Sequence, residues 1–146
     1  MRLKPPVQEL LSAPRDASAQ CALGDRFETG SGVAQDYARA MFWYRKAADQ
    51  GYARAQHNLA RMYLQGHGAP ADAAEAANWY RRAADQGFAR AQYALACMCY
   101  EGRGLPQDYA AAARWFSKAG DQGNAYAQNN NTVNANTKER ADDATA

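Results

Sequence analysis

A thirty-six-residue unit recurs three times in succession, with no residue inserted or lost, across Ala19–Arg54, Ala55–Arg90 and Ala91–Tyr126. The second and third copies are identical at eighteen of thirty-six positions. A unit this short cannot bury an apolar face of its own, so consecutive copies must stack and share one continuous core. Function in such a stack lies on an extended surface, not in an enclosed pocket.

In the second copy, Ala55, Leu59, Met62 and Tyr63 fall at helical spacing and mark one face of a first helix ending at Gln65. Gly66 stops that helix, because glycine takes the left-handed cap conformation at little cost, and Gly68 and Pro70 keep the link irregular. Asp72 then stands at the N-cap of a second helix, whose inward stripe is Ala76, Trp79, Tyr80, Ala83 and Ala84, and Gly87 closes it. The same marks recur at Asp36, Trp43, Tyr44 and Gly51, and at Asp108, Trp115, Phe116 and Gly123. Links this short make neighbouring helices antiparallel. Thirty-five alanines, no isoleucine and only three valines suit helices and leave no material for strands, so the fold class is all-α. Trp43, Trp79 and Trp115 return every thirty-six residues on the inward stripe, which assigns them to the core and not to a ligand box. Gly24, Ala60 and Ala96 are the small residues that let the two helices of a pair approach closely.

The fixed offsets of G-x-G, Asp, Trp and A-A-D-Q-G resemble the Sel-like repeat, a relative of the tetratricopeptide repeat. The likeness rests on LGDRFETGSGVAQDYARAMFWYRKAADQGYARA, from Leu23 to Ala55, and on its echoes LARMYLQGHGAPADAAEAANWYRRAADQGFARA and LACMCYEGRGLPQDYAAAARWFSKAGDQGNAYA. It implies a right-handed superhelical solenoid of helix pairs in which the first helix of each pair lines a concave side. On that geometry Cys21, Asp25, Glu28, Arg54, His57, Arg61, Leu64, Arg90, Tyr93, Cys97, Tyr100, Glu101, Tyr126 and Asn129 turn toward the groove, and these positions differ between copies while the core marks stay constant. Arg54, Arg61 and Arg90 gather near the junction of the second and third copies, with His57, Tyr93 and Tyr100 beside them. Clustered guanidinium groups suit a carboxylate, so an acidic or C-terminal peptide segment is the favoured ligand. The competing expectation is an ordinary solvated ion pair, Arg54 with Glu28 and Arg90 with Asp49 or Asp85. A second basic row, Arg45, Lys46, Arg81, Arg82 and Lys118, sits on the outer helices and is expected to be a soluble face.

The resemblance implies a role in binding other proteins, as an adaptor or scaffold in signalling, assembly or regulation. An immunity or inhibitor protein that masks a toxin or enzyme is the alternative. Cysteine-rich relatives join their helices with two cysteines per repeat and bind β-lactams, a pattern that Cys21, Cys97 and Cys99 do not supply. Cys97 and Cys99, two apart on a helix, point about 200° apart and cannot share a metal. With two histidines, no serine-centred elbow and no metal-binding spacing, neither catalysis nor a cofactor is expected. A net charge of +2 gives no basic excess to hold a phosphate backbone, so nucleic acid is not expected either. The prolines and polar residues after Met1 interrupt any signal-like apolar run, and no stretch approaches membrane-spanning length, which makes a cytoplasmic location the expectation. At the ends, residues 1–18 are expected to form an arm with a short capping helix over Val7–Ala13. Residues 127–146 read as a fourth copy that fails after Gln128 and continues as a disordered polar tail.

Overall fold

A computed structural model describes residues 14–122. The capping helix expected over Val7–Ala13 and the tail at 127–146 lie outside that range. Among the described residues there are six helices of thirteen residues and no strand: α1 Ala17–Thr29, α2 Tyr37–Asp49, α3 Ala53–Gln65, α4 Ala73–Asp85, α5 Ala89–Glu101 and α6 Tyr109–Asp121. They pack as three pairs, α1 with α2, α3 with α4 and α5 with α6, and each pair leans on the next through α2 with α3 and α4 with α5.

Local chemistry sets the ends of these helices. Asp16, Asp36, Asp72 and Asp108 each occupy an extended N-cap, and their carboxylates accept the backbone N–H three residues on at 3.0–3.1 Å. The helices α1, α3 and α5 stop at Gly30, Gly66 and Gly102, whose φ of 69–78° is the left-handed region. The sequence starts the second repeat at Ala55, whereas the helix begins at Ala53. Gly51, with φ of 90°, turns the chain so sharply that extended Tyr52 is already the cap, and the two helix-favouring residues after it join the first turn.

The core is one continuous cluster from Cys21 to Phe116, with alanine at most of the helix crossings. Gly24 is one such crossing: a Cβ there would stand 2.6 Å from the buried ring of Tyr44, so only glycine lets α1 and α2 approach this closely. The three tryptophans are not equivalent. Trp43 is 0% and Trp79 4% exposed, but Trp115 is only half-buried, because it lies in α6 and no described helix follows to cover it. The outer basic row is also more than a soluble face. Arg45 and Arg82 lie 5.2 and 4.4 Å from the Trp79 ring centre, and Arg81 and Lys118 lie 5.9 and 4.7 Å from that of Trp115. Arginine of one repeat thus stacks on the indole of the next.

A second device locks the repeats in line. The buried amides of Gln56 and Gln92 donate at 3.1 Å to the carbonyls of Ala48 and Ala84, near the C-terminal ends of the preceding helices. Their oxygens accept from Gln86 and Gln122, in the D-Q-G segments that follow, at 2.9 and 2.8 Å. Gln20 and Gln50 repeat the second of these contacts at 2.8 Å. These carbonyls already accept the backbone N–H of Gly51 and Gly87 at 2.9 Å, so each glutamine amide adds a second donor to a helix-end carbonyl and ties it across the repeat boundary.

Candidate protein-binding surface

The groove is lined by the first helices of the pairs, and its character changes from one repeat to the next because a few positions alternate in charge. Positions 25, 61 and 97 are equivalent and carry Asp, Arg and Cys; positions 28, 64 and 100 carry Glu, Leu and Tyr. In the first repeat the acids are fully engaged. The hydroxyl of buried Tyr44 reaches inward from α2 and stands 2.6 Å from Asp25 Oδ1 and 2.7 Å from Glu28 Oε1, one proton shared by two carboxylates. Arg54 adds a contact of 3.0 Å to Asp25 Oδ2, and Asn58 one of 3.4 Å to Oδ1. Arg61 grips Glu28 with both terminal nitrogens, at 2.6 and 2.8 Å.

These distances replace the ion pairs expected from sequence. Arg54 reaches back to Asp25 and not to Glu28, because Glu28 is taken by Arg61 two turns further along α3. Arg90 makes no ion pair with Asp49, Asp85 or any other described acid. The reason is visible in the repeat: the residue equivalent to its would-be partner Asp25 is Arg61, another cation.

Of the expected groove residues, Tyr126 and Asn129 lie outside the described range, and six, Asp25, Arg54, His57, Arg61, Arg90 and Tyr93, come together around a cleft of about 450 Å³ whose walls Asn58, Phe88 and Ala94 complete. Leu64, Tyr100 and Glu101 are not part of it. Leu64 is half-buried against the core, the Tyr100 ring packs on Tyr109 with centres 5.2 Å apart, and Glu101 ends α5 in solvent. Asn58 and Phe88 escaped the sequence reading because each looks like a helix-facing or linking residue. The clearest available signal was Tyr44 itself, a buried phenol whose counterpart in the third repeat is Phe116, so its hydroxyl had to have a polar partner on the groove side.

His57 lies between the rings of Tyr80 and Phe88, at 5.6 and 5.4 Å, and burial together with the charges of Arg61, Arg90 and Arg54 pushes its pKa down to about 4. It is therefore neutral near pH 7, and the cleft's charge comes from three arginines set against Asp25 and Glu28, one positive charge in excess. Burial opposes the charged form of Glu28, but the hydrogen bonds from Arg61 and Tyr44 and the Arg61 charge outweigh it and hold the carboxyl below its ordinary value. A depressed carboxyl pKa stabilises the fold above the unfolded value of about 4.3 and loses that contribution as pH falls through the folded one. Between about pH 6 and pH 3 the wild-type protein should lose about 1–2 kcal/mol more stability than Glu28→Gln, measured by urea unfolding across the series. Parallel pH curves would contradict the role given to Glu28.

Cys21 and Cys99 are buried, Cys97 is half-buried, and all three are free thiols, with burial raising the Cys21 pKa to about 11. Among the described residues no helix is long and apolar enough to cross a membrane.

Paired helices of equal length, stacked in file with a variable inner face, define a helical-repeat module whose working surface is its groove. The chain belongs to the Sel1 repeat family, whose model matches residues 17–52, 53–88 and 89–124, two residues ahead of the sequence-read boundaries. Proteins of this family generally mediate protein–protein interactions. The fold is similar to that of a protective antigen with an SLR fold from uropathogenic Escherichia coli, at TM-score 0.77 and 36% identity over 88% of this chain and 30% of that one. It is equally similar to a Sel1 repeat protein from Oxalobacter formigenes, at TM-score 0.77 and 36% identity over 81% of this chain and 50% of that one. Helicobacter pylori cysteine rich protein B shares the fold at TM-score 0.67 and 20% identity, over 86% of this chain and 96% of that one. In sequence, 49 residues are 43% identical to chitin synthase regulatory factor 3 of Schizosaccharomyces pombe, which is 33% of this chain and 5% of that protein. The chain thus spans half or less of the first two structures and a small part of the yeast protein.

Proposed function

We propose that this protein is a non-catalytic adaptor that holds an acidic segment of a partner protein in its groove, at the junction of the second and third repeats. One observation carries the proposal: three arginines meet around a cleft of about 450 Å³ in which only two acids oppose them, leaving Arg90 without an intramolecular counter-ion among the described residues. Arginine and tyrosine at the mouth of a cleft provide charge and aromatic area together, the combination that anchors interfaces. The cytoplasm is the proposed setting, since three thiols without a disulfide suit a reducing compartment.

Arg54 and Arg90 are both exposed, so replacing them spares the core. Partner recovered from a lysate of the source cells by immobilised protein should fall at least about tenfold for Arg54→Ala/Arg90→Ala, as expected for loss of charge-assisted anchors. Arg114→Ala, an exposed arginine on α6, should leave recovery unchanged. Equal recovery by the double variant and the wild type would reject the groove as the binding surface.

A further inference from the structure

Comparing the repeats at equivalent atoms shows what the cleft lacks. In the first repeat, Asp25 collects three donors: the Tyr44 hydroxyl at 2.6 Å, Arg54 at 3.0 Å and the Asn58 amide at 3.4 Å. Moving each by thirty-six residues gives Tyr80, Arg90 and Ala94, and gives Arg61 in place of Asp25 itself. Two of the three donors are therefore kept while their acceptor is gone. Tyr80 is 4% exposed and its hydroxyl makes no hydrogen bond among the described residues. A phenol this deeply buried without an acceptor is rare, since leaving a buried donor unpaired is costly. Its ring lies against His57, a wall of the cleft, and repeat equivalence with Tyr44 carries its hydroxyl toward the inner-face positions 61 and 64. Arg90 lines the same cleft with no described acid opposite it. Ala94, where the first junction has an amide, leaves room beside them.

We infer that the cleft between the second and third repeats is a subsite for a side-chain carboxylate of the partner, an aspartate or glutamate that takes there the place Asp25 fills in the first repeat. The inference deepens the groove assignment proposed above and rests on it. The first junction is a folded picture of the occupied site: a side-chain carboxylate borne on a helix, met by one buried phenol and one exposed arginine. The second junction keeps the phenol, as Tyr80 behind His57, and the arginine, as Arg90 on the cleft wall, with no described acid paired to either. Arg61, its guanidinium paired with Glu28, adds positive potential to the cleft wall, and neutral His57 supplies an aromatic one. A side chain and not a chain terminus is the occupant, because the cradle copies one built for an aspartate held within a continuing backbone.

The probe is a short peptide, acetylated and amidated, with one central glutamate, titrated into isotope-labelled protein while the arginine side-chain signals are followed by NMR. It should shift the Arg90 and Arg61 signals, and the glutamine counterpart should bind at least about tenfold more weakly, as expected when a charge-assisted pair is lost. Tyr80→Phe removes only the hydroxyl and copies the residue that the third repeat carries at Phe116, so it should fold. It and Arg90→Ala should each weaken the glutamate peptide about fivefold or more while leaving the glutamine peptide unchanged. Equal binding of the two peptides would overturn the carboxylate subsite but leave the groove standing. A response only to a peptide whose sole carboxylate is its C-terminus would overturn the side-chain assignment. Silence of the arginine signals toward every peptide would also overturn the subsite, while the groove would still be judged by partner recovery with Arg54→Ala/Arg90→Ala.

Discussion

Trp43→Ala should destabilise the protein by about 3–5 kcal/mol, whereas Trp115→Ala should cost no more than about half of that. The two residues hold the same place in the first and third repeats and differ in what covers them. Trp43 is 0% exposed, sealed where α2 meets both α1 and α3, so truncation removes an indole from a site already closed on every side. Burying such a ring withdraws about 150–250 Å² from water, worth roughly 4–6 kcal/mol before entropy is set against it. Trp115 is half-buried, held by α6 and by the stacked side chains of Arg81 and Lys118, and so has less to lose. Total stability of small proteins is about 5–15 kcal/mol, so the first change should leave the folded state marginal. In a linear stack it should also weaken the coupling of the first repeat to the second. Urea unfolding followed by far-ultraviolet circular dichroism reads both effects without relying on tryptophan emission. Equal losses at the two sites would mean that coverage by the next repeat does not set the strength of the core.

Much of this architecture was legible in the residues, and what was not has a common cause. The helix pairs, the Asp caps, the glycine stops and the inward tryptophan stripe are properties of a single unit, set by spacing and local conformational preference. The errors fall where one unit meets another. The partner of Arg54 is Asp25 because the rotation between α1 and α3 brings positions 25 and 54 together, and no spacing along one helix contains that rotation. The lock of Gln56 on Ala48 and Gln86 joins three helices, so it reads in sequence only as a recurrent polar residue on an otherwise buried face. The stacking of Arg45 on Trp79 likewise crosses a boundary, and a residue that seemed to serve solubility proves to cover the next indole. The cleft is the extreme case. Its residues were brought near one another by the family geometry, but its character comes from a substitution, Arg61 where the first repeat has Asp25, whose meaning depends on knowing that Tyr44 and Arg54 converge on that acid.

Gly104→Ala should cost about 3 kcal/mol or more, and Gly32→Ala only about 1 kcal/mol, although the two glycines have nearly the same backbone, with φ of 78° and 77°. The left-handed conformation penalises an L side chain equally at both, so the strain cancels in the comparison. What remains is space. A Cβ at Gly104 would collide with the carbonyl of Ala73, fixed as the first helical residue after the Asp72 cap. Gly68 shows the same relation one repeat earlier, where a Cβ would stand 2.8 Å from the Tyr37 carbonyl oxygen and 2.9 Å from Met41 Sδ. At Gly32 no described repeat precedes, and a Cβ would meet only the end of the Arg26 side chain, which can swing aside into solvent. At Gly68 and Gly104 the second glycine of the G-x-G is therefore where the loop of one repeat rests, backbone to backbone, on the second helix of the repeat before. That contact fixes the step from one pair to the next, and with it the separation of Arg54, Arg61 and Arg90 across the groove. Gly104→Ala must either unseat its loop or push α4 away, and both alter the junction at which the cleft is built. Thermal unfolding of the two variants tests the comparison directly: equal shifts in Tm would show that the loops do not set the spacing of the stack, and the geometry of the groove would then have to come from the helix crossings alone.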